Sequence, residues 1–164
     1  MKQLLILFLF GFTVYAGKVL VYSPGISYSH LIGNGRIADA LAKAGHDVVM
    51  FIPEYTNLGT FTGTKFAKVF RMNNISSKAE NLISLEEQRK WMEQPCIPLS
   101  ERYAFESVNA AMCEALMARR NELEVLKNYG FDVAFAEQLD FCGIEVISLD
   151  GSTKRTGSFE KLWV

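Results

Sequence analysis

The sequence predicts an α/β fold in which a Rossmann-like parallel sheet is flanked by helices. Residues 18–22 and 47–52 are nearly continuous apolar runs, as is typical of parallel strands that are covered on both faces. Residues 31–44 separate polar from apolar side chains with the period of an amphipathic helix. Because a strand, a helix and a strand follow one another within about 35 residues, we expect a βαβ unit with a right-handed crossover.

The region after this unit is less regular. Residues 55–64 are rich in Gly, Thr and Asn and indicate a loop, whereas residues 66–70 alternate in the manner of a short strand. Residues 77–80 and 84–87 both begin with Ser and end with Glu, which is the spacing of a capping box. We therefore expect one or two short helices here.

The second half of the chain predicts one long helix and one further strand. The helix covers residues 100–128, although its apolar periodicity weakens at the arginine pair 119–120. Gly130 ends it, and residues 132–136 indicate another buried strand. A last apolar stretch covers residues 143–147. The apolar stripe of the long helix is typical of core packing, and we assign it no functional role.

Residues 1–16 have the pattern of a secretory signal peptide. Lys2 supplies the positive charge, residues 4–12 form a short apolar run, and Ala16 ends a small-residue cleavage site. The apolar run is too short to span a membrane, which takes about 20 residues in a helix. We therefore expect export to the secretory pathway and removal of this segment.

The expected mature chain is one domain with a tail. Residues 17–147 carry the α/β pattern, whereas residues 148–164 are small and polar and predict a disordered tail. The formal net charge of the 164 residues is −1, without a basic block, so we expect no nucleic-acid partner.

The cysteines indicate structure rather than chemistry. Cys96, Cys113 and Cys142 match no zinc-ligand spacing, and an odd number of cysteines cannot pair completely, which leaves room for one disulfide. The triplet that begins at Asn74 is an N-glycosylation acceptor sequence and agrees with export.

Two residues at the carboxyl ends of predicted strands are candidates for chemistry. His30 follows the first strand and Glu137 follows the strand at 132–136. If these strands are neighbours in the sheet, the two side chains converge at the edge where open α/β sheets bind ligands. A neutral imidazole can take a proton from a hydroxyl group, and a carboxylate behind it sets the tautomer and stabilises the imidazolium.

Two other features compete with this pair. Residues 33–38 match the glycine pattern of a dinucleotide-binding turn, and Glu54 lies where a ribose-binding acid would be expected. However, Gly33 already lies inside the predicted helix, so we interpret Gly33 and Gly35 as close-packing positions. His46 lies between a helix end and a strand start at the opposite edge of the sheet. The last helical carbonyls there stabilise a partial positive charge, so we expect a structural role for this histidine.

The chain resembles the UDP-glucuronosyltransferase family, in the form common among nematodes. The resemblance rests on residues 19–31 with the sequence VLVYSPGISYSHL, residues 35–49 with GRIADALAKAGHDVV, and residues 131–143 with FDVAFAEQLDFCG. The order of signal peptide, histidine loop and long middle helix agrees, and the similarity covers about residues 1–147.

The resemblance implies the N-terminal, acceptor-binding half of a two-domain GT-B fold. It makes His30 the general base and Glu137 its carboxylate partner, although many relatives have Asp at the latter position. The implied reaction transfers glucuronic acid or another sugar from a UDP-sugar to a small lipophilic hydroxyl compound, with inversion. The reaction needs no metal and no cofactor besides the UDP-sugar co-substrate. The resemblance also implies that the chain resides in the lumen of the endoplasmic reticulum.

The resemblance ends before the family's donor-binding domain and membrane anchor. We therefore expect a truncated GT-B fold and no detectable transfer by residues 17–164 alone. Three hypotheses for the function remain open: an active transferase, a non-catalytic fragment that associates with full-length relatives, and a nucleotide-cofactor domain that uses the glycine motif. Acceptor pockets in the family are lined by the middle region, where four aromatic residues are candidates: Tyr55, Phe61, Trp91 and Phe105.

Overall fold

The computed structural model describes residues 16–75, 85–137 and 142–149. Within these residues, four strands form one parallel sheet in the order β3-β2-β1-β4. The strands are β1 Lys18–Tyr22, β2 Asp47–Pro53, β3 Lys68–Met72 and β4 Val133–Phe135. The predicted α/β fold with a parallel sheet is confirmed.

Helices cover both faces of this sheet. They are α1 Tyr28–Lys43, α2 Leu85–Glu93, α3 Leu99–Ala118, a 3₁₀ turn Arg120–Leu123, α4 Glu124–Lys127 and α5 Cys142–Leu149. In the part of the chain that the structure describes, no helix is both long and apolar enough to cross a membrane.

Side chains of β1 alternate between two apolar layers, as the two-residue period of a strand requires. Val19 and Val21 pack on the α1 side of the sheet, together with Leu31 of that helix. Leu20 and Tyr22 pack into the other layer. That layer is built by side chains from α3 to α5, namely Val108, Met112, Leu116, Leu123, Leu126, Val146 and Ile147. Burial on both faces explains why these strands read as continuous apolar runs.

The first helix begins three residues before its predicted start. α1 starts at Tyr28, so His30 lies in the first helical turn and not in the preceding loop. Ser27 is the N-cap residue and is extended, with φ −157° and ψ 164°, but its side chain makes no capping hydrogen bond. Its hydroxyl lies 2.8 Å from the Ser29 hydroxyl. Residues 23–27 are all that separates the carboxyl end of β1 from the N-terminus of α1.

The third strand lies two residues later than predicted. Asp39 of α1 accepts hydrogen bonds from the backbone N–H groups of Lys65 and Phe66, and the Thr64 hydroxyl accepts one from Ala67. These backbone donors are therefore used by side chains, and strand pairing begins only at Lys68.

The predicted helix 100–128 is divided into three segments. Arg119 donates from its side chain to both Glu122 carboxylate oxygens at 2.7 Å and to the backbone carbonyl of Asn73 at 2.6 Å. The guanidinium thus ties the end of α3 to the chain that follows β3. The break falls at the arginine pair where the apolar periodicity weakens.

A disulfide joins two helices of the apolar layer that contains Leu20 and Tyr22. Cys113 of α3 is bonded to Cys142 of α5, whereas Cys96 is free and exposed. The predicted stretch 143–147 lies within α5, which continues through Ser148 to Leu149, so regular structure extends two residues into the segment predicted to be a disordered tail.

Other predictions fall on residues outside the described ranges. These are the signal peptide up to residue 15, the capping box at 77–80 and the tail from residue 150 onward. α2 begins at Leu85, where the second capping box predicts a helix.

Candidate active site

Strands β1 and β4 are neighbours, with Val21 opposite Phe135 in register. His30 and Glu137 follow these strands at the same edge of the sheet, and the structure brings them together. His30 Nδ1 lies 2.5 Å from Glu137 Oε1. Both side chains are mostly buried, with 18% and 26% of their surfaces exposed. Two residues far apart in the sequence therefore form one hydrogen-bonded pair at the ligand-binding edge expected of this fold.

Asn34, which lies in α1, supports the His30–Glu137 pair. Its side-chain Nδ2 donates to Glu137 Oε2 at 2.9 Å and to the Ser23 hydroxyl at 3.2 Å. The Ser23 hydroxyl in turn donates to the backbone carbonyl of His30 at 3.4 Å. Each oxygen of the Glu137 carboxylate thus has a donor, one from His30 and the other from Asn34.

Sequence reasoning missed Asn34, although a signal was present. Asn34 lies four residues after His30, and residues at this spacing share one face of a helix. In the sequence, Asn34 stands between the two glycines of the apparent dinucleotide motif, and these glycines favour a different interpretation.

The surroundings of Glu137 favour its charged form. Burial acts to raise the pKa of Glu137, but hydrogen bonds from His30 and Asn34 and the charge of His30 outweigh it, so this pKa lies below its ordinary value. An ionised carboxylate only accepts hydrogen bonds, so the proton in the short contact belongs to His30 Nδ1. In the neutral imidazole, Nε2 is then the ring nitrogen with the free lone pair.

An apolar cavity of about 520 Å³ lies beside His30, which forms part of its wall. This volume is in the range of small-molecule sites. Its apolar wall includes Ile26, Trp91, Met92, Ile97 and Phe105, and the Trp91 and Phe105 rings meet edge to face at 5.3 Å between centroids. The arrangement can hold an apolar ligand beside the His30 imidazole.

Two of the four aromatic candidates line this cavity and two do not. Trp91 and Phe105 belong to its wall. Tyr55 is only 1% exposed and packs in the core, with its hydroxyl 3.3 Å from that of Tyr22. Phe61 packs against the ring of Tyr28 at 5.4 Å. The expectation that Tyr55 and Phe61 contribute to the pocket is therefore wrong for this cavity.

The glycines of residues 33–38 do not form a dinucleotide-binding turn. Both lie inside α1, well past its N-terminus, whereas the motif requires its first glycine before the helix. Glu54 is paired with Arg71 at 3.4 Å between Oε1 and Nη1. The geometry gives no support to the nucleotide-cofactor alternative.

The close-packing interpretation holds for one glycine of the two. A Cβ atom on Gly35 would collide with the backbone of Gly63, which itself has φ +75° and packs against the carbonyl of Leu31. By contrast, a Cβ on Gly33 would meet nothing within 4 Å, so the prediction is wrong for Gly33. Gly35 lets the loop before β3 approach α1.

His46 lies at the other edge of the sheet, as its position predicted. Its Nδ1 accepts a hydrogen bond from the backbone N–H of Gly17 at 3.3 Å, just before β1 begins. Its own backbone N–H donates to the Leu41 carbonyl near the end of α1. These contacts give it a packing role.

The remaining candidates concern metals and glycosylation. Among residues 16–75, 85–137 and 142–149, no group of three or more His, Cys, Asp or Glu side chains is arranged to hold a metal ion. Asn74 is exposed and has a left-handed backbone, with φ +55°. Ser76 of its acceptor triplet lies outside the described residues.

Comparison with known proteins gives relatives for most of the chain. Two Caenorhabditis elegans proteins named as UDP-glucuronosyltransferases, ugt-50 and ugt-47, are 34% and 37% identical to the chain over 141 and 146 residues, or 85% of its length in both cases. The chain is homologous to one part of the UDP-glucuronosyltransferases. The mouse UDP-glucuronosyltransferase 3A1 is 27% identical over 155 residues, which is 88% of this chain.

The homology covers a limited part of these UDP-glucuronosyltransferases. In each of the three comparisons the chain spans only 27% of the relative's own length. No protein-family model matches the chain, and no solved structure matches it. The homology therefore supports a glycosyltransferase origin, and the reaction of the whole relatives remains a proposal for this chain.

Proposed function

We propose that this chain is the N-terminal, acceptor-binding part of a UDP-glycosyltransferase of the glucuronosyltransferase type. His30 is the general base of this enzyme, and Glu137 orients His30 and stabilises its charged form. The contact of 2.5 Å between His30 Nδ1 and Glu137 Oε1, at the wall of an apolar cavity, carries the proposal. The homology to UDP-glucuronosyltransferases supports it.

The proposed step begins with a small lipophilic hydroxyl compound in the cavity. His30 Nε2 takes the hydroxyl proton while the oxygen attacks the anomeric carbon of the sugar of a UDP-sugar. The new carbon–oxygen bond forms as the bond from the sugar to UDP breaks, and UDP leaves with that electron pair. Attack opposite the leaving group inverts the anomeric carbon. The proton remains on an imidazolium that Glu137 stabilises, as in other His–carboxylate pairs.

The donor site is proposed to lie in the part of the relatives that this chain does not match. Positioning two reactants side by side supplies much of the rate of a bimolecular transfer. For this reason we expect no measurable transfer by the chain on its own. The reaction requires the donor-binding part, supplied in the same polypeptide or by a full-length relative.

We also propose that the chain enters the secretory pathway and resides in the lumen of the endoplasmic reticulum. The signal-peptide pattern at residues 1–16 and the exposed position of Asn74 support this. Expression in a eukaryotic secretory system is then expected to give a glycoprotein whose mass falls on treatment with peptide N-glycosidase. The Asn74→Gln variant is expected to lack that shift.

A graft tests the catalytic proposal. The chain replaces its matched segment in the Caenorhabditis elegans relative ugt-47, and transfer from UDP-glucuronic acid to a panel of phenols is measured. The graft is expected to transfer the sugar, and His30→Ala is expected to lower kcat/KM by about 10²-fold or more, the range of general-base catalysis.

The second histidine of the chain is the matched control. His46 lies at the opposite edge of the sheet, so His46→Ala is expected to leave kcat/KM of the graft unchanged. A graft that transfers glucuronic acid equally well with and without His30 would contradict the proposed role.

A further inference from the structure

Four residues at the candidate site form a closed ring of hydrogen bonds that begins and ends at His30. The Ser23 hydroxyl donates to the backbone carbonyl of His30 at 3.4 Å and accepts from Asn34 Nδ2 at 3.2 Å. Asn34 Nδ2 also donates to Glu137 Oε2 at 2.9 Å, and Glu137 Oε1 contacts the His30 imidazole. This hydrogen-bond ring joins the backbone of His30 to its own side chain.

Two regular elements carry the polar groups that close the ring. Ser23 directly follows β1, is fully buried, and donates its backbone N–H to the Phe51 carbonyl of β2 at 2.9 Å. A buried hydroxyl has no access to bulk water, so its hydrogen bonds are made within the protein. Asn34 lies in α1, whose first turn holds His30. Side chains on such elements hold a site more precisely than side chains on loops.

The direction of each hydrogen bond in the ring follows from one group that can only accept. The backbone carbonyl of His30 has no proton to give, so the Ser23 hydroxyl uses its single proton there. Ser23 then accepts from Asn34, which turns the NH₂ end of the Asn34 amide toward Ser23 and Glu137. Glu137 Oε2 therefore faces a donor and accepts.

The opposite orientation of the Asn34 amide requires a different protonation state. With its oxygen toward Glu137, Asn34 would place two acceptors 2.9 Å apart unless Glu137 were protonated. The Ser23 hydroxyl would then turn to the Asn34 oxygen and leave the His30 carbonyl without this donor. The orientation of Asn34 is therefore linked to the charge of Glu137.

We infer that Asn34 is a positioning residue for the proposed transfer, and that Ser23 sets the orientation of its amide. Asn34 acts through Glu137 and not on the reactants. A Glu side chain has considerable rotational freedom, and the donor at Oε2 keeps Oε1 in place as an acceptor for His30 Nδ1. The catalytic part of this inference rests on the proposed function, whereas the effect of the ring on the imidazole does not.

Proton exchange in the wild type tests the ring without any variant. The two Nδ2 protons of Asn34 are both engaged, one by Ser23 and one by Glu137, whereas Asn128 is exposed. In nitrogen-15 NMR of the purified chain, the Asn34 side-chain protons are expected to exchange with water about tenfold or more slowly than those of Asn128.

Two variants test the effect of the ring on His30. Asn34→Leu keeps the approximate shape without a donor, and Ser23→Ala removes the group that orients Asn34. Each is expected to lower the ratio of the Nδ1–H to the Nε2–H form of neutral His30 about fivefold or more, measured by nitrogen-15 NMR of histidine side chains. Asn128→Leu and Ser107→Ala make the same changes at exposed positions and are expected to leave the ratio unchanged. Melting curves verify folding.

Kinetics of the ugt-47 graft separate a positioning role from acceptor binding. Asn34→Leu is expected to lower kcat about tenfold, the effect of losing a hydrogen bond to a charged group. KM for the phenol is expected to stay nearly unchanged, because Asn34 does not line the cavity. Asn128→Leu is expected to change neither constant.

Several outcomes would overturn the inference. These are equal exchange rates for Asn34 and Asn128, an unchanged tautomer ratio in Asn34→Leu and Ser23→Ala, or an unchanged kcat for Asn34→Leu in a graft that depends on His30. Failure of the proposed function gives a different result, namely a graft whose transfer does not depend on His30 while the exchange rates and tautomer ratios of the chain are as expected.

Discussion

His30 Nδ1 and Glu137 Oε1 lie 2.5 Å apart although the two residues are separated by 107 positions in the chain. The contact exists because β1 and β4 are parallel neighbours whose carboxyl ends meet at one edge of the sheet. The ionised carboxylate favours the imidazole proton on Nδ1, and His30 forms part of the wall of the apolar cavity.

Glu137 is expected to be sensitive to loss of charge more than to a change of length. In the ugt-47 graft, Glu137→Gln keeps the shape but removes the charge that stabilises the imidazolium, and kcat/KM is expected to fall by about 10²-fold or more. Glu137→Asp keeps the charge and is expected to lose less. Steady-state kinetics of the two variants give the comparison, and equal losses would contradict a role for the charge.

Stability of the chain is expected to depend on the ionisation of Glu137. Its pKa is lowered in the folded state from 4.5, so its ionisation stabilises the fold above that pH, and the contribution is lost as the pH falls through the lower folded value. Asn34→Ala removes one of the causes of the lowered pKa. The stability lost on acidification is then expected to be smaller in this variant, and the loss to be complete at a higher pH than in the wild type.

Urea unfolding at several pH values between neutral and about pH 3 measures how much stability each protein loses on acidification. Asn128→Ala is the control, because Asn128 is exposed and precedes β4 at the other edge of the sheet. Parallel pH profiles for the wild type and Asn34→Ala would show that Asn34 has no influence on the carboxylate.

The two glycines of α1 are expected to respond to alanine in opposite directions. Gly35→Ala forces a Cβ into the backbone of Gly63 and is expected to lower the free energy of unfolding by about 1–3 kcal/mol. Gly33→Ala adds a methyl group in open space within a helix and is expected to raise it by about 0.5–1 kcal/mol. Urea midpoints of both variants check the signs, and equal destabilisation would refute the close approach at Gly35.

The disulfide between α3 and α5 is expected to stabilise the apolar layer that contains Leu20 and Tyr22. Replacing Cys113 and Cys142 together by Ala is expected to lower the free energy of unfolding by about 2–4 kcal/mol. Cys96→Ala changes an exposed free thiol and is expected to have no effect. Melting curves with and without reductant distinguish the bridge from the side chains, since reductant should destabilise only proteins that contain it.

Much of the fold follows from local patterns in the sequence. The βαβ unit could be predicted because burial on both faces makes its strands apolar throughout, and because the polar stripe of the helix is regular. The meeting of His30 and Glu137 could be predicted because parallel neighbours place their carboxyl ends together. Both inferences need only the period of the pattern and the direction of the strands.

Other features depend on contacts between distant residues that no local pattern encodes. Asp39 displaces the start of β3 by taking backbone donors that lie 26 and 27 positions away. Arg119 ends α3 through carbonyl groups 45 and 46 positions away. Asn34 is a different case, because its spacing from His30 is visible in the sequence but its glycine neighbours suggest another motif.

Glu137 is proposed to hold His30 with the proton on Nδ1, which leaves Nε2 to act as the base. Nitrogen-15 NMR of the chain with labelled histidine side chains measures the tautomer directly at neutral pH, and a spectrum of His46→Ala assigns the His30 signals. We expect a protonated Nδ1 and an unprotonated Nε2 in the wild type, with this preference lost in Glu137→Gln. A neutral His30 that carries its proton on Nε2 in the wild type would show that Glu137 does not prepare Nε2 as the base.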